Sequence, residues 1–168
     1  MPDTEREPPQ RIASTGLMTN SRHSVRLDFC STFEMVDFVQ TVSDHIGRLV
    51  GLDDDALHWV GVAVRESVIN AIKHGNAGDE RKRVYVEFTP LERESPPGMA
   101  IRVRDEGPGF DPASVPDPLH PENLLKASGR GIFLIRSFMD ELRLQPAAEG
   151  GMEVVMVKRA GATTPPHA

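Results

Sequence analysis

Residues 66–76 read Glu66-Ser67-Val68-Ile69-Asn70-Ala71-Ile72-Lys73-His74-Gly75-Asn76, and the reading of this stretch decides the fold. Three polar side chains, Glu66, Asn70 and His74, recur four residues apart in a mostly apolar run. On a helix turning ~100° per residue, Asn70 lies about 40° from Glu66 and His74 about 80° from it. Leu57, Val60, Val64, Val68 and Ala71 gather on the opposite side, the face expected to pack on a sheet. Val62, Ala63 and Ile69 border the polar stripe, so it is expected to line a partly apolar concavity. Two readings stand side by side. The stripe is either a solvated helix face, with His74 suited to the C-terminal end of the dipole, or a functional site.

Working outward, the acidic run Asp53-Asp54-Asp55 opens this helix at its positive end, and Gly75 stops it after His74. Upstream, Val25, Leu27 and Phe29 alternate with Arg26 and Asp28 as a strand. Ser31 or Thr32 is expected to cap a helix over 33–50, with Phe33, Val36, Val39, Val42 and Ile46 at helical spacing and Gly51 closing it. Downstream, 83–89 and 99–104 form a hairpin around a Pro- and Glu-containing turn. Residues 106–128 are Pro-rich without periodicity, a length at which loops are usually functional or disordered. A third helix over 129–139, a strand at Leu142 and Leu144, a Glu149-Gly150-Gly151 turn and a strand over 152–158 complete the chain. The order β-α-α-β-β-loop-α-β-β predicts an α+β fold. It is a two-layer sandwich with a mixed, mostly antiparallel sheet and helices on one face. The domain is expected over 23–159, with a flexible N-terminal lead over 1–22 and a loose tail over 160–168.

The 168 residues suit one domain with a sizeable core, and the apolar share is 39%. A net charge of −6 with dispersed Lys and Arg argues against a nucleic-acid surface. No apolar run reaches the ~20 residues of a membrane span, and the N-terminus lacks a signal-peptide core. Cys30, the lone cysteine, allows no intrachain disulfide, suits a cytoplasmic location, and is expected to be a buried strand residue. One Cys and scattered His offer no zinc-ligand spacing.

Two further motifs bear on chemistry. A strand ends at Arg104 and runs into Asp105-Glu106-Gly107-Pro108-Gly109-Phe110. The glycines allow close backbone approach to a ligand. A carboxylate at a strand end can accept from an exocyclic amine, which adenine presents and guanine does not. The alternative is an ordinary surface turn. The second motif is Ser128-Gly129-Arg130-Gly131-Ile132. With Ser128 as cap and two glycines in its first turn, the helix start is a ready phosphate seat, or simply a helix start. It is neither a Walker loop nor a Rossmann fingerprint, lacking Gly-Lys-Ser/Thr and an immediately preceding strand.

Taken in order, these three elements resemble the GHKL-type ATP-binding fold of sensor histidine kinases, gyrase B, Hsp90 and bacterial anti-sigma-factor kinases. The resemblance covers about residues 24–158. Within it the chain looks most like the RsbW/SpoIIAB group of anti-sigma factor serine kinases, from its size, the form Glu-x-x-x-Asn-Ala-Ile-x-His-Gly and the short lid. The run from Gly131 to Glu141 points the same way. A histidine-kinase dimerisation domain or a gyrase transducer is not expected.

The resemblance implies ATP and Mg²⁺ as cofactors. Asn70 would be the metal ligand and Glu66 the general base. Asp105 would read the adenine amine, Gly107 and Gly109 would shape the base pocket, and Gly129, Arg130 and Gly131 would line the phosphates. His74 is expected to be structural. It further implies an ATP-dependent serine/threonine kinase that acts on an anti-anti-sigma (STAS-type) protein and holds a sigma factor. Partner choice would be switched by nucleotide, in a homodimer that contacts neither nucleic acid nor membrane. Many members of the fold carry Gly-Thr on the last strand, the Thr helping to bind adenine. Here Met152 follows Gly151. That departure favours a second possibility, a non-catalytic nucleotide-responsive adaptor, whereas the pairing of Glu66 with Asn70 favours the kinase.

Overall fold

A computed structural model describes residues 23–109 and 127–161. The expected lead, most of the expected tail and most of the Pro-rich segment lie outside the described residues. So do the side chains of 127–130, which include Ser128 and Arg130.

The elements follow in the order β1 (Val25–Cys30), α1 (Met35–Leu49), α2 (Asp54–Asn70), a π turn (Ala71–Gly75), β2 (Arg83–Leu91), β3 (Gly98–Arg104), α3 (Ala127–Phe138), β4 (Glu141–Pro146) and β5 (Met152–Arg159). The sheet order is β1-β2-β3-β5-β4, with the helices on one face. All four pairings are antiparallel, so the expected mixed sheet is corrected in that respect. The reason lies in the connections. Two helices between β1 and β2 return the chain to the end of the sheet it left. The single helix α3 makes β4 run in the same sense as β3, but β5 inserts between them and pairs antiparallel with both.

Alternation fixes the faces. Phe29, Val84, Val86, Phe88, Ile101, Val103 and Met156 point at the helices and are buried. They meet Val36, Val39 and Ile46 of α1 and Leu57, Val60, Val64 and Val68 of α2. Each fully buried branched side chain contributes about 1.5–3 kcal/mol over leaving it exposed. The helix-free face carries charge pairs such as Arg26–Glu87, Arg102–Glu153 and Arg104–Glu149. A small apolar patch, Leu91, Ala100 and Val157, is buried on that face. It explains why β2 continues through Pro90 and Leu91 rather than turning at Pro90.

Several local expectations change. Asp53 does cap α2, accepting from the Ala56 N–H at 2.7 Å. No side chain caps α1, because the Ser31 hydroxyl donates instead to the Lys82 carbonyl at 3.0 Å. Phe33 precedes α1 and is exposed rather than in the core. The helix of the polar stripe is α-helical only to Asn70 and then widens into the π turn, where the Asn76 N–H reaches the Ala71 carbonyl at 2.8 Å. The third helix starts at Ala127, so Ser128 lies inside it and is not its N-cap. Cys30 is exposed, since the alternation that buries Phe29 turns its successor to the open face.

Candidate functional site

One end of the sheet gathers the sequence motifs: the ends of β1 and β3, the starts of β2 and β5, the end of α2 and the start of α3. Glu66 and Asn70 are half-buried on the last turns of α2. His74 is exposed and lies in the π turn, so the stripe is broken after Asn70. Buried Gly131, in the first turns of α3, faces the pair. A Cβ there would stand 2.8 Å from Glu66 Oε2 and 3.1 Å from Asn70 Nδ2. The other end of α3 is fastened to the start of α2, where Trp59 stacks on Phe138 at 3.4 Å and 6°. The two helices therefore run antiparallel. The buried Lys158 ammonium donates to the last carbonyl of α3, Phe138 O, at 3.0 Å, and faces Asp140 Oδ1 at 3.4 Å. A cation at a helix C-terminus is favourably placed.

Asp105 follows β3 and is 5% exposed. Its N–H donates to Met152 O, and its Oδ1 accepts from Gly107 N at 2.8 Å and Met152 N at 3.1 Å. Its Oδ2 receives no hydrogen bond among the described residues and lies against Gly75, where a Cβ would come within 2.2 Å of it. Gly107 is equally constrained, its missing Cβ being 1.9 Å from the Gly75 carbonyl oxygen. The Asp105 turn thus packs directly on the end of the π turn, with no side chain between the two backbones. Gly109 has φ +72°, and a Cβ there would be 3.4 Å from the Gly151 carbonyl oxygen. Gly151, at φ +86°, brings its own Cα against the Asp105 carbonyl.

Two residues of this region, Asn76 and Glu106, are not among the expected site residues. Asn76 is fully buried. Its Oδ1 accepts from Glu106 N at 2.8 Å, and its Nδ2 donates to Ser31 Oγ at 2.6 Å and Arg83 O at 2.9 Å. Glu106 accepts from Arg83 N and from the Tyr85 hydroxyl, each at 2.8 Å. Those donors, Arg83 first, hold its carboxyl below the ordinary value, and the same carboxylate raises the Tyr85 phenol. A polar residue just after His-Gly was the available hint. Only the fold shows what it reaches.

The chemical capacity of this end is definite. A nearly buried carboxylate with one unclaimed oxygen can accept a hydrogen bond from an exocyclic amine. A glycine-bordered helix start facing an amide and a carboxylate leaves room for phosphate groups. Asn70 supplies one hard oxygen donor, which fits a Mg²⁺ held chiefly by phosphate oxygens and water. Among the described residues no cluster of three or more His, Cys, Asp or Glu side chains forms a metal cage. The sequence-derived site residues Glu66, Asn70 and Gly131 come together, and Asp105, Gly107 and Gly109 form a second group joined to α2 through Gly75. Gly129 and Arg130 are placed only as backbone of the first turn of α3. No described helix is long and apolar enough to cross a membrane.

Comparison with known proteins finds relatives over most of the chain. The model of the histidine kinase-like ATPase domain matches residues 32–158. The chain is 26% identical over 147 residues to the serine-protein kinase RsbW of Listeria monocytogenes, covering 84% of this chain and 90% of that protein. It is 32% identical over 142 residues to the anti-sigma F factor of Clostridium perfringens, covering 82% and 96%. It is also 32% identical over 143 residues to the anti-sigma F factor of Oceanobacillus iheyensis, covering 82% and 93%.

Proposed function

The chain belongs to the histidine kinase-like ATPase domain family, and from that premise we propose that it is an ATP-dependent protein serine/threonine kinase and anti-sigma factor. Its substrate would be a serine or threonine hydroxyl of a small anti-anti-sigma protein of the STAS type, and nucleotide state would decide whether that protein or a sigma factor is held. The observation that carries the reading is the pairing of Glu66 and Asn70 on one stripe of α2, facing the side-chain-free Gly131 of α3. Relatives named as a serine-protein kinase and as anti-sigma F factors support it.

Asp105 accepts the adenine amine at Oδ2, with Gly107 and Gly109 shaping the base pocket. The first turn of α3, with Gly129, Arg130 and Gly131, would line the phosphates, and the unsatisfied N–H groups at its very start would receive them. Asn70 would hold Mg²⁺, which when bound would offset phosphate charge. Glu66 accepts the proton of the attacking hydroxyl as the oxygen bonds to the γ-phosphorus and ADP leaves.

Met152 sustains the second reading, a nucleotide-responsive adaptor without transfer. Its buried thioether stands where a hydroxyl would assist base binding. The test incubates the protein with labelled ATP, Mg²⁺ and a candidate STAS-type partner, beside Glu66→Gln and Asn70→Ala. Transfer by wild type, lost on the order of 10²–10⁴-fold in Glu66→Gln with ATP still bound, supports the kinase. ATP binding without transfer to any such partner leaves the adaptor. No ATP binding at millimolar concentration removes both.

A further inference from the structure

The conformation of Asp105 is set from both sides. Its own N–H is tied to β5 through Met152 O. The next peptide plane, which carries the Glu106 N–H, is tied to Asn76 Oδ1 at 2.8 Å. Both protons of the Asn76 amide are also used, one on Ser31 Oγ and one on Arg83 O. The backbone of Asn76 is engaged too, its N–H on Ala71 O and its carbonyl accepting from Asp79 N. The amide orientation is unambiguous, because a backbone N–H needs the oxygen and a backbone carbonyl needs the nitrogen. Asn76 is 0% exposed, so water cannot replace any of these partners.

Asn76 lies six residues beyond Asn70 and immediately after the π turn, while Asp105 lies at the far end of β3. One side chain therefore fixes the angle of the base-reading turn relative to the helix that carries the proposed metal ligand. A second, more exposed anchor reaches the same turn from β2, through the Tyr85 hydroxyl on Glu106 Oε1.

We propose that Asn76 is a positioning residue for base selection: by pinning the Asp105–Glu106 peptide it aims Asp105 Oδ2 at the exocyclic amine of adenine. The proposal rests on the ATP-site reading above and is tested so that the two can fail separately. The affinities of full-length protein for ATP and for inosine triphosphate, whose base bears an oxygen where adenine has the amine, are compared by calorimetry with Mg²⁺. The measurement is made well below the melting temperature, on folded protein.

Wild type is expected to prefer ATP. In Asn76→Ala the ATP-to-ITP ratio falls about tenfold, mostly through weaker ATP binding, because the Glu106 N–H loses its partner and the turn swings. A role in stability alone would lower the melting temperature and leave the ratio unchanged. Tyr85→Phe, whose loss is partly solvated, is expected to fold and to lower the ratio by about two- to threefold. It decides the matter if Asn76→Ala does not fold. An unchanged ratio in every variant that folds overturns the role of Asn76 while leaving the ATP site standing. A wild type that binds the two nucleotides equally overturns the reading of Asp105 itself.

Discussion

Gly131 gives the sharpest perturbation of the candidate site, because one methyl group there touches its two principal side chains and little else. A Cβ at this position would stand 2.8 Å from Glu66 Oε2 and 3.1 Å from Asn70 Nδ2, whereas ordinary contact starts at 3.4 Å. In Gly131→Ala, Glu66 must withdraw by about 0.6 Å and Asn70 by about 0.3 Å. Both groups are the ends of rotatable side chains, so the displacement costs little in stability. Alanine in turn is favoured over glycine inside a helix by about 0.8–1.0 kcal/mol. The melting temperature should thus stay level or rise by up to about 4 °C. Chemistry responds differently. If a 1 Å misplacement can cost 10²-fold, a shift of this size costs on the order of tenfold in transfer rate. The assay is phosphoryl transfer from labelled ATP to a STAS-type partner at saturating nucleotide, run beside a thermal melt. A full wild-type rate in Gly131→Ala would show that Glu66 does not work where α3 begins. A melting temperature lowered by more than about 8 °C would show that the methyl breaks packing rather than moving two side-chain tips.

Two other outcomes follow from particular contacts. Among the described residues, Asp140→Ala leaves the buried Lys158 ammonium with only the Phe138 carbonyl and strips the Arg159 N–H of its Asp140 acceptor, and should destabilise by about 3 kcal/mol in urea denaturation, while Lys158→Met, of similar volume, should come within about 1 kcal/mol of wild type; equal losses in both would contradict this account. The Glu106 carboxyl is held below its ordinary 4.5, so its contribution to stability is full above that value and is lost as pH falls through the folded pKa. Melting temperatures recorded from pH 7 down to pH 3 should therefore show a shallower acid limb in Glu106→Gln, and an unaltered limb would remove Glu106 from the acid response.

The architecture was legible because its signals are local and periodic. The α2 stripe, the alternation in β1, β2, β3 and β5, and the acidic opening of α2 each follow from a few neighbouring residues. What escaped depends on partners distant in sequence. Ser31 reads as a helix cap until Asn76, 45 positions away, gives its hydroxyl another task. The expected helix to His74 becomes a π turn, because five residues carry too little period to separate the two geometries. The conversion is what delivers Asn76 to the interior. The parallel sense of β3 and β4 is implicit in the order of elements. That β5 would come between them is set by pairing, which the order leaves open. Within the site, Gly107 reads as a turn residue, yet what the fold requires there is contact with the Gly75 carbonyl, a constraint only the two backbones together reveal.

Met152 ties these observations together. With a buried thioether at the position where many members of the fold carry a threonine hydroxyl, that side chain offers adenine no hydrogen bond, and only its backbone remains polar. That backbone is already committed, N–H to Asp105 Oδ1 and carbonyl to Asp105 N. Under the proposed reading, discrimination between bases would then fall, among the described residues, on Asp105 Oδ2. A single hydrogen bond discriminates well only if its acceptor cannot follow the wrong base, since a mobile carboxylate would turn away and escape the cost of lying unpaired. Rigid mounting of Asp105 therefore matters more in this chain than where a second side chain shares the task. The contacts at Gly75, Gly107 and Gly151 and the pinned peptide at Asn76 are the parts of the fold that supply it.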